Sequence, residues 1–214
     1  MTHALLEELP AAHRLALAYA PGPAREATLA VLSLDARLAA VLRRHREPVL
    51  AQMRFAFWRD TLAKEKAQWP RGDVVLGLLG EWREPAALIA LVDGWEGLLS
   101  EELDADVIDG FGAGRGQAFA QLASELGAAP SPAGLCGRTW ALADLAANLS
   151  GQDERESVLD AAKALPPCGG LPRTLRPLAV LAALGQRSIA LGGAPLLEGP
   201  RAILFAVRVG LLGR

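Results

Sequence analysis

Between one Pro/Gly break and the next, this chain consists largely of Ala and Leu at helical intervals. No stretch alternates apolar with polar residues long enough to build a sheet. The breaks fall at Pro21-Gly22-Pro23, Pro70-Arg71-Gly72, Pro130-Ser131-Pro132, Pro166-Pro167-Cys168-Gly169-Gly170 and Gly192-Gly193-Ala194-Pro195. They delimit about eight to ten helices and predict an all-α bundle. Helices are expected near Leu5 to Tyr19, Ala24 to Arg46, Pro48 to Trp69, Val74 to Glu81 and Pro85 to Leu98. Others are expected at Phe111 to Leu126, Ala133 to Ser150, Asp153 to Leu165, Pro172 to Leu191 and Gly199 to Leu212. In the second, Val31, Leu34, Leu38 and Val41 recur on one face. The acidic segment Glu101 to Asp109 reads as a loop with a partial turn. No internal repeat or long linker divides residues 1–214, so one domain is expected.

With 51% hydrophobic and 21% charged residues, 214 positions supply a sizeable core without help from disulfides or structural metal. Cys136 and Cys168 stand alone in the sequence, outside any C-x-x-C pattern, which fits a reducing, cytoplasmic setting. Twenty-two basic against 24 acidic residues give a net charge of −2, too little positive charge for a nucleic-acid partner. The N-terminus carries Glu7 and Glu8 where an export signal has a basic region, and Gln186, Arg187 and Arg208 interrupt the most apolar stretches. No transmembrane helix is expected. A mean hydropathy of +0.22 is nevertheless high, and fits an apolar surface facing a partner, a lipid or a greasy ligand.

Chemistry-bearing patterns are sparse. Gly110-Phe111-Gly112-Ala113-Gly114-Arg115-Gly116 imitates a nucleotide loop, but no strand precedes it and the G-x-G-x-x-G spacing fails; small residues that let two helices approach closely are the simpler reading. Arg115 within it can meet an anion or, more simply, a carboxylate at the surface. His3, His13 and His45 are too scattered for a metal site and read as surface residues. The run Arg43-Arg44-His45-Arg46 reads as a solvated helix end, with phosphate or an anionic membrane as its alternative. Asp104, Asp106 and Asp109 lack the glycine and terminal glutamate of a calcium loop. Met53 to Asp60 places Phe55, Phe57 and Trp58 beside Arg54, Arg59 and Asp60, which suits either a core-facing tryptophan flanked by ion pairs or a ligand-facing surface.

Taken in order, several segments resemble the squalene/phytoene synthase family. They are Asp35-Ala36-Arg37-Leu38-Ala39 to Glu47-Pro48, Gln52-Met53-Arg54 to Phe57-Trp58-Arg59-Asp60, and Leu91-Val92-Asp93-Gly94. Gly137-Arg138-Thr139-Trp140-Ala141-Leu142-Ala143-Asp144-Leu145 and Leu171-Pro172-Arg173-Thr174-Leu175-Arg176-Pro177-Leu178 follow. The resemblance implies an isoprenoid (terpenoid) synthase-like helical bundle around a central cavity, in which two aspartate-rich motifs hold Mg²⁺ against prenyl diphosphates. The metal neutralises the charge that develops as diphosphate leaves.

Those aspartates are missing here. The first D-x-x-x-D falls on Ala39 or Ala40 and Arg43; the second falls around Asp144, Asn148 and Gln152, with Asp153 out of register. The resemblance thus implies a member that retains the fold without prenyltransferase chemistry, needs no cofactor, and binds an isoprenoid, another lipid or a protein partner. A degenerate branch of the family includes a mitochondrial assembly factor for respiratory complex I, which brings with it peripheral contact with an inner membrane. The alternative is an active Mg-dependent prenyltransferase that joins prenyl diphosphates. In it, Asp35, Asp60, Asp93 and Asp144 rebuild the metal site and Arg54, Arg59 and Arg115 clamp diphosphate. Trp58 and Asn148 complete the candidate ligand contacts.

Overall fold

The computed structural model describes residues 2–44 and 47–213; all its regular elements are helical, and no strand occurs among the described residues. The α-helices are α1 (Thr2–Glu8), α2 (Ala11–Leu17), α3 (Gly22–Arg44), α4 (Pro48–Ala63), α5 (Val74–Leu79), α6 (Ile89–Gly97), α7 (Ala105–Glu125), α8 (Pro130–Asn148), α9 (Gln152–Lys163), α10 (Arg176–Ala190) and α11 (Gly199–Leu212). They form a helical bundle. The periodic face of α3 is its core face: Val31, Leu34 and Leu38 have no exposed surface. α8 lies centrally, packed on α7, α9 and α10; α6 packs on α7 and α4 on α6. One apolar core runs from Leu5 to Val209, and a smaller cluster of Ile108, Leu142, Ala146, Val158, Leu159 and Ala162 joins α7, α8 and α9.

Three element boundaries differ from the sequence reading, each for a local reason. The first expected helix is two, because Pro10 is extended, with φ −56° and ψ 153°, and has no N–H to continue the ladder; Arg14 Nη1 donates to the Leu9 carbonyl left at the break, at 2.8 Å. The helix expected to reach Trp69 stops at Ala63. Lys64 turns extended, and the indole N–H of Trp69 donates to the Lys64 carbonyl at 3.1 Å, folding Trp69 back into the core. The acidic segment read as a loop contains the start of α7. Asp104 caps it by accepting from Val107 N–H at 2.9 Å, and Asp106 lies in the first turn, where the helix dipole favours an anion.

The glycines of α7 act as close-approach positions. A Cβ on Gly114 would lie 2.2 Å from the carbonyl oxygen of Ala90 in α6, and one on Gly116 would lie 2.8 Å from that of Gly134 in α8. Both neighbours are backbone and cannot move aside. The segment that imitates a nucleotide loop is therefore a seam along which three helices meet.

No helix among the described residues is long and apolar enough to cross a membrane. Large apolar side chains do reach solvent on two helices, at Val49, Leu50, Met53 and Phe57 of α4 and at Ile203, Leu204, Leu211 and Leu212 of α11.

Candidate functional site

The close packing of α6, α7 and α8 brings the middle of α7 to the centre of the bundle, and with it Arg115. This side chain is only 2% exposed. The surface carboxylate expected to meet it is instead a pair of carboxylates brought in by α3 and α8. Arg115 Nε and Nη2 donate to Asp35 Oδ1 and Oδ2, each at 3.0 Å, in a two-pronged pair, while Nη1 donates to Asp144 Oδ2 at 2.9 Å. Asp35 is itself 1% exposed and receives a further hydrogen bond from the indole N–H of Trp95 at 2.8 Å. Burial opposes the charge on Arg115, yet Asp35 and Asp144 together hold its pKa above the ordinary arginine value.

Aromatic rings enclose the guanidinium. Its Cζ lies 4.2 Å from the ring centre of Trp140, 5.0 Å from Phe111 and 5.1 Å from Trp95, all within reach of a cation–π attraction strengthened by exclusion of water. His13 meets the edge of Trp140 at 5.2 Å and 77°. It is buried, not at the surface as expected, whereas His3 is exposed and paired with Glu7; His45 lies outside the described residues. Burial pushes the His13 imidazole below its ordinary value, with Asp35 and Asp144 only partly opposing the shift. Its Nδ1 has no hydrogen-bond partner among the described residues.

Above this cluster lies a cavity of about 640 Å³. Asp35, Ala39 and Arg43 of α3 and Asp144 and Asn148 of α8 line it, with His13 and Arg115 in its wall. Most of the remaining lining is aliphatic or aromatic. Arg43 is exposed and stands on the solvent side, while the side chains of the rest of its basic run lie outside those described. Residues of α3 and α8 thus face one space. A second concavity of about 630 Å³ runs along α6 and α7 beside Gly94, Gly110 and Gly114, but contains no buried ionisable group.

The other candidates lie elsewhere. Asp60 is exposed on α4. Asp93 takes a hydrogen bond from Arg59 Nε at 2.8 Å, and Arg59 also pairs with Glu96, joining α4 to α6 outside the cavity; these bonds, Glu96 first, raise the Arg59 pKa. Arg59 of α4 therefore pairs across to α6, not along its own helix. Trp58 is 6% exposed and edge-on to Phe57 at 5.7 Å. It borders, with Arg54 and Arg37, a separate depression outside α3 and α4. Of the four candidate aspartates, only Asp35 and Asp144 converge.

Could these two hold Mg²⁺? Both oxygens of Asp35 and one of Asp144 already accept from Arg115, and a dication beside them would face that guanidinium within a few ångströms. Ala39 offers no oxygen and Arg43 adds a second positive charge. Among the described residues no cluster of three His, Cys, Asp or Glu side chains could hold a metal. The donor set does not fit the ion. What the site offers chemically is an apolar volume with a bound internal cation, an unpartnered imidazole nitrogen and the amide of Asn148.

Sequence reading missed His13, Trp95 and Trp140 as parts of this site. One signal was available: Phe111, Arg115 and Phe119 recur every four residues, so Arg115 occupies a core position on its helix and requires buried carboxylates.

No family model matches the chain, and neither a curated protein nor a solved structure does.

Proposed function

We propose that this chain is a squalene/phytoene synthase-like helical protein that binds an isoprenoid or another lipid in the α3/α8 cavity without prenyltransferase catalysis. One observation carries the reading. Ala39, Arg43, Asp144 and Asn148, four of the positions on which the resemblance lays the two aspartate-rich motifs (Ala40, the alternative to Ala39, and Gln152 are not in its lining), line a single cavity from two helices, and the carboxylates there are engaged by Arg115. The apolar wall suits a hydrocarbon chain, Arg43 suits an anionic head near solvent, and His13, whose Nδ1 is without a partner among the described residues, leaves a polar group in the lining. A role in assembling a respiratory complex rests on the resemblance alone, which is analogy of fold. It is tested by co-purification from membrane fractions.

The test of the ligand is calorimetry with farnesyl and geranylgeranyl diphosphate, with and without Mg²⁺, followed by a pyrophosphate assay on the same samples. Binding that is indifferent to Mg²⁺, with no pyrophosphate released, is expected. Magnesium-dependent pyrophosphate release that is lost in Asp144→Asn overturns the proposal. So does failure of either prenyl diphosphate and of a matched acyl phosphate to bind at all.

A further inference from the structure

α11 distributes its side chains in the reverse of the usual order for a helix at the edge of a bundle. The face packed on α10 and α2 is built of small residues: Ala202, Ala206 and Gly210 recur every four positions and are buried together with Val209. Gly210 is fixed there by contact, since a Cβ on it would lie 2.5 Å from the Tyr19 ring. The large apolar side chains are on the other face. Ile203 is 47% exposed, and Leu204, Leu211 and Leu212 are each about two-thirds exposed. Ile203, Val207, Leu211 and Leu204 occupy a continuous outer arc of about 100°. A helix that only seals a core turns its bulky apolar residues inward, so packing within the bundle does not account for this face.

The charge on this helix has one sign. Arg201 and Arg208, seven residues apart, are exposed along one edge of the arc, and α11 contains no Asp or Glu. The Arg208 guanidinium carbon lies 5.5 Å from the Phe205 ring centre, so its stem covers apolar surface while its head stays at the edge. A third cation, Arg176 of α10, lies beside Gly213 at the C-terminal end of the helix. Among the described residues none of these three arginines belongs to an ion pair. The exposed apolar face of α4 differs in this respect, because it mixes Arg54 with Glu47 and Asp60.

We propose that α11 docks this protein flat on an anionic phospholipid bilayer, with Ile203, Leu204 and Leu211 at the boundary of headgroups and acyl chains and Arg201, Arg208 and Arg176 on the lipid phosphates. With 14 residues the helix is about 21 Å long, short of a hydrocarbon layer of about 30 Å, so it lies in the interface and does not cross it. Apolar insertion and basic charge are the two signals that such docking combines. Other occupants fit less well. A second copy paired antiparallel through α11 sets Arg201 of one chain against Arg208 of the other, with no carboxylate in either helix to relieve them. Protein interfaces centre on aromatic anchors within a polar rim, whereas the outer arc of α11 is wholly aliphatic. The docked helix adjoins the cavity: α2, on which it packs, supplies Ala12 and His13 to the lining, and Pro195 and Leu196 of the α10–α11 connection line it too. The docking surface itself does not depend on the lipid-binding reading of that cavity.

The full chain is mixed at low ionic strength, without any prenyl diphosphate, with vesicles of phosphatidylcholine alone or of phosphatidylcholine and phosphatidylglycerol, and the bound fraction is read by flotation. Binding to the phosphatidylglycerol vesicles only, falling as salt is added, is expected. Leu204→Glu with Leu211→Glu should weaken it by more than about tenfold, and Arg201→Gln with Arg208→Gln by about tenfold. All four side chains are exposed, so the melting temperature should not change. Met53→Glu, at an exposed apolar position of α4, should leave binding as it was. Equal binding to both vesicle types, no binding to either, or binding retained in the double leucine variant overturns the proposal. So does an equal loss in Met53→Glu, or self-association without vesicles that the leucine substitutions abolish. The calorimetry that tests the cavity contains no vesicles, so the two readings can fail separately.

Discussion

Arg115 is a cation that has lost nearly all contact with water, and its stability depends on the two carboxylates that α3 and α8 bring to it. Removing it leaves Asp35 buried with a hydrogen bond from Trp95 and no counter-charge. Arg115→Leu is therefore expected to cost about 3–5 kcal/mol in urea unfolding, the usual loss when one partner of a buried ion pair is deleted. Asp35→Asn added to that background should cost much less than it does alone, since the two residues act as one unit. A loss below about 1 kcal/mol for the single variant would show that the cluster is not a structural anchor. His13 gives the site a pH dependence of known sign. Burial lowers its folded pKa, so below the ordinary value of about 6.5 the unfolded chain binds the proton more readily than the folded one. Its contribution to stability is complete above that pH and is lost as pH falls toward the folded pKa. The melting temperature should drop on acidification from pH 7 to 5.5, and His13→Phe, which keeps an aromatic edge against Trp140, should flatten that drop.

Among the elements, α7 shows how one residue type serves opposite purposes along a single helix. At Gly114 a methyl group would strike the Ala90 carbonyl of α6, whereas at Gly110, on the same helix, nothing lies within 4 Å. Gly114→Ala should destabilise by about 2–3 kcal/mol or more, because a backbone neighbour cannot yield. Gly110→Ala should stabilise by up to about 1 kcal/mol through helix propensity alone. Thermal unfolding of the two variants side by side checks the contrast, and equal effects would show that the α6–α7 seam is loosely packed. The helices themselves were legible because their apolar period and their Pro and Gly breaks are local. The ends of α1 and α4 were less so. At those boundaries a side chain five residues further on captures a carbonyl, Arg14 at Leu9 and Trp69 at Lys64, which a periodicity of apolar residues does not record.

Across the whole molecule, legibility declines as contacts lengthen. The all-helical class and the buried face of α3 could be read from residues within one or two turns of each other. The pairing of Asp35 with Arg115 spans 80 positions and leaves no spacing to find. Asp35 and Arg115 were singled out as separate candidates, and only the fold shows them to be one cluster, while Asp60 and Asp93 lie outside the cavity. Arg115 also gives the cavity a counterion that belongs to the chain itself. A bound metal has an occupancy that follows supply, chelators and competing ions; a guanidinium anchored on α7 has none, and it is present in every folded copy at unit stoichiometry. The guanidinium charge at the centre of this bundle is thus permanent for as long as the helices remain packed, and only groups around it, such as His13, change their protonation with pH.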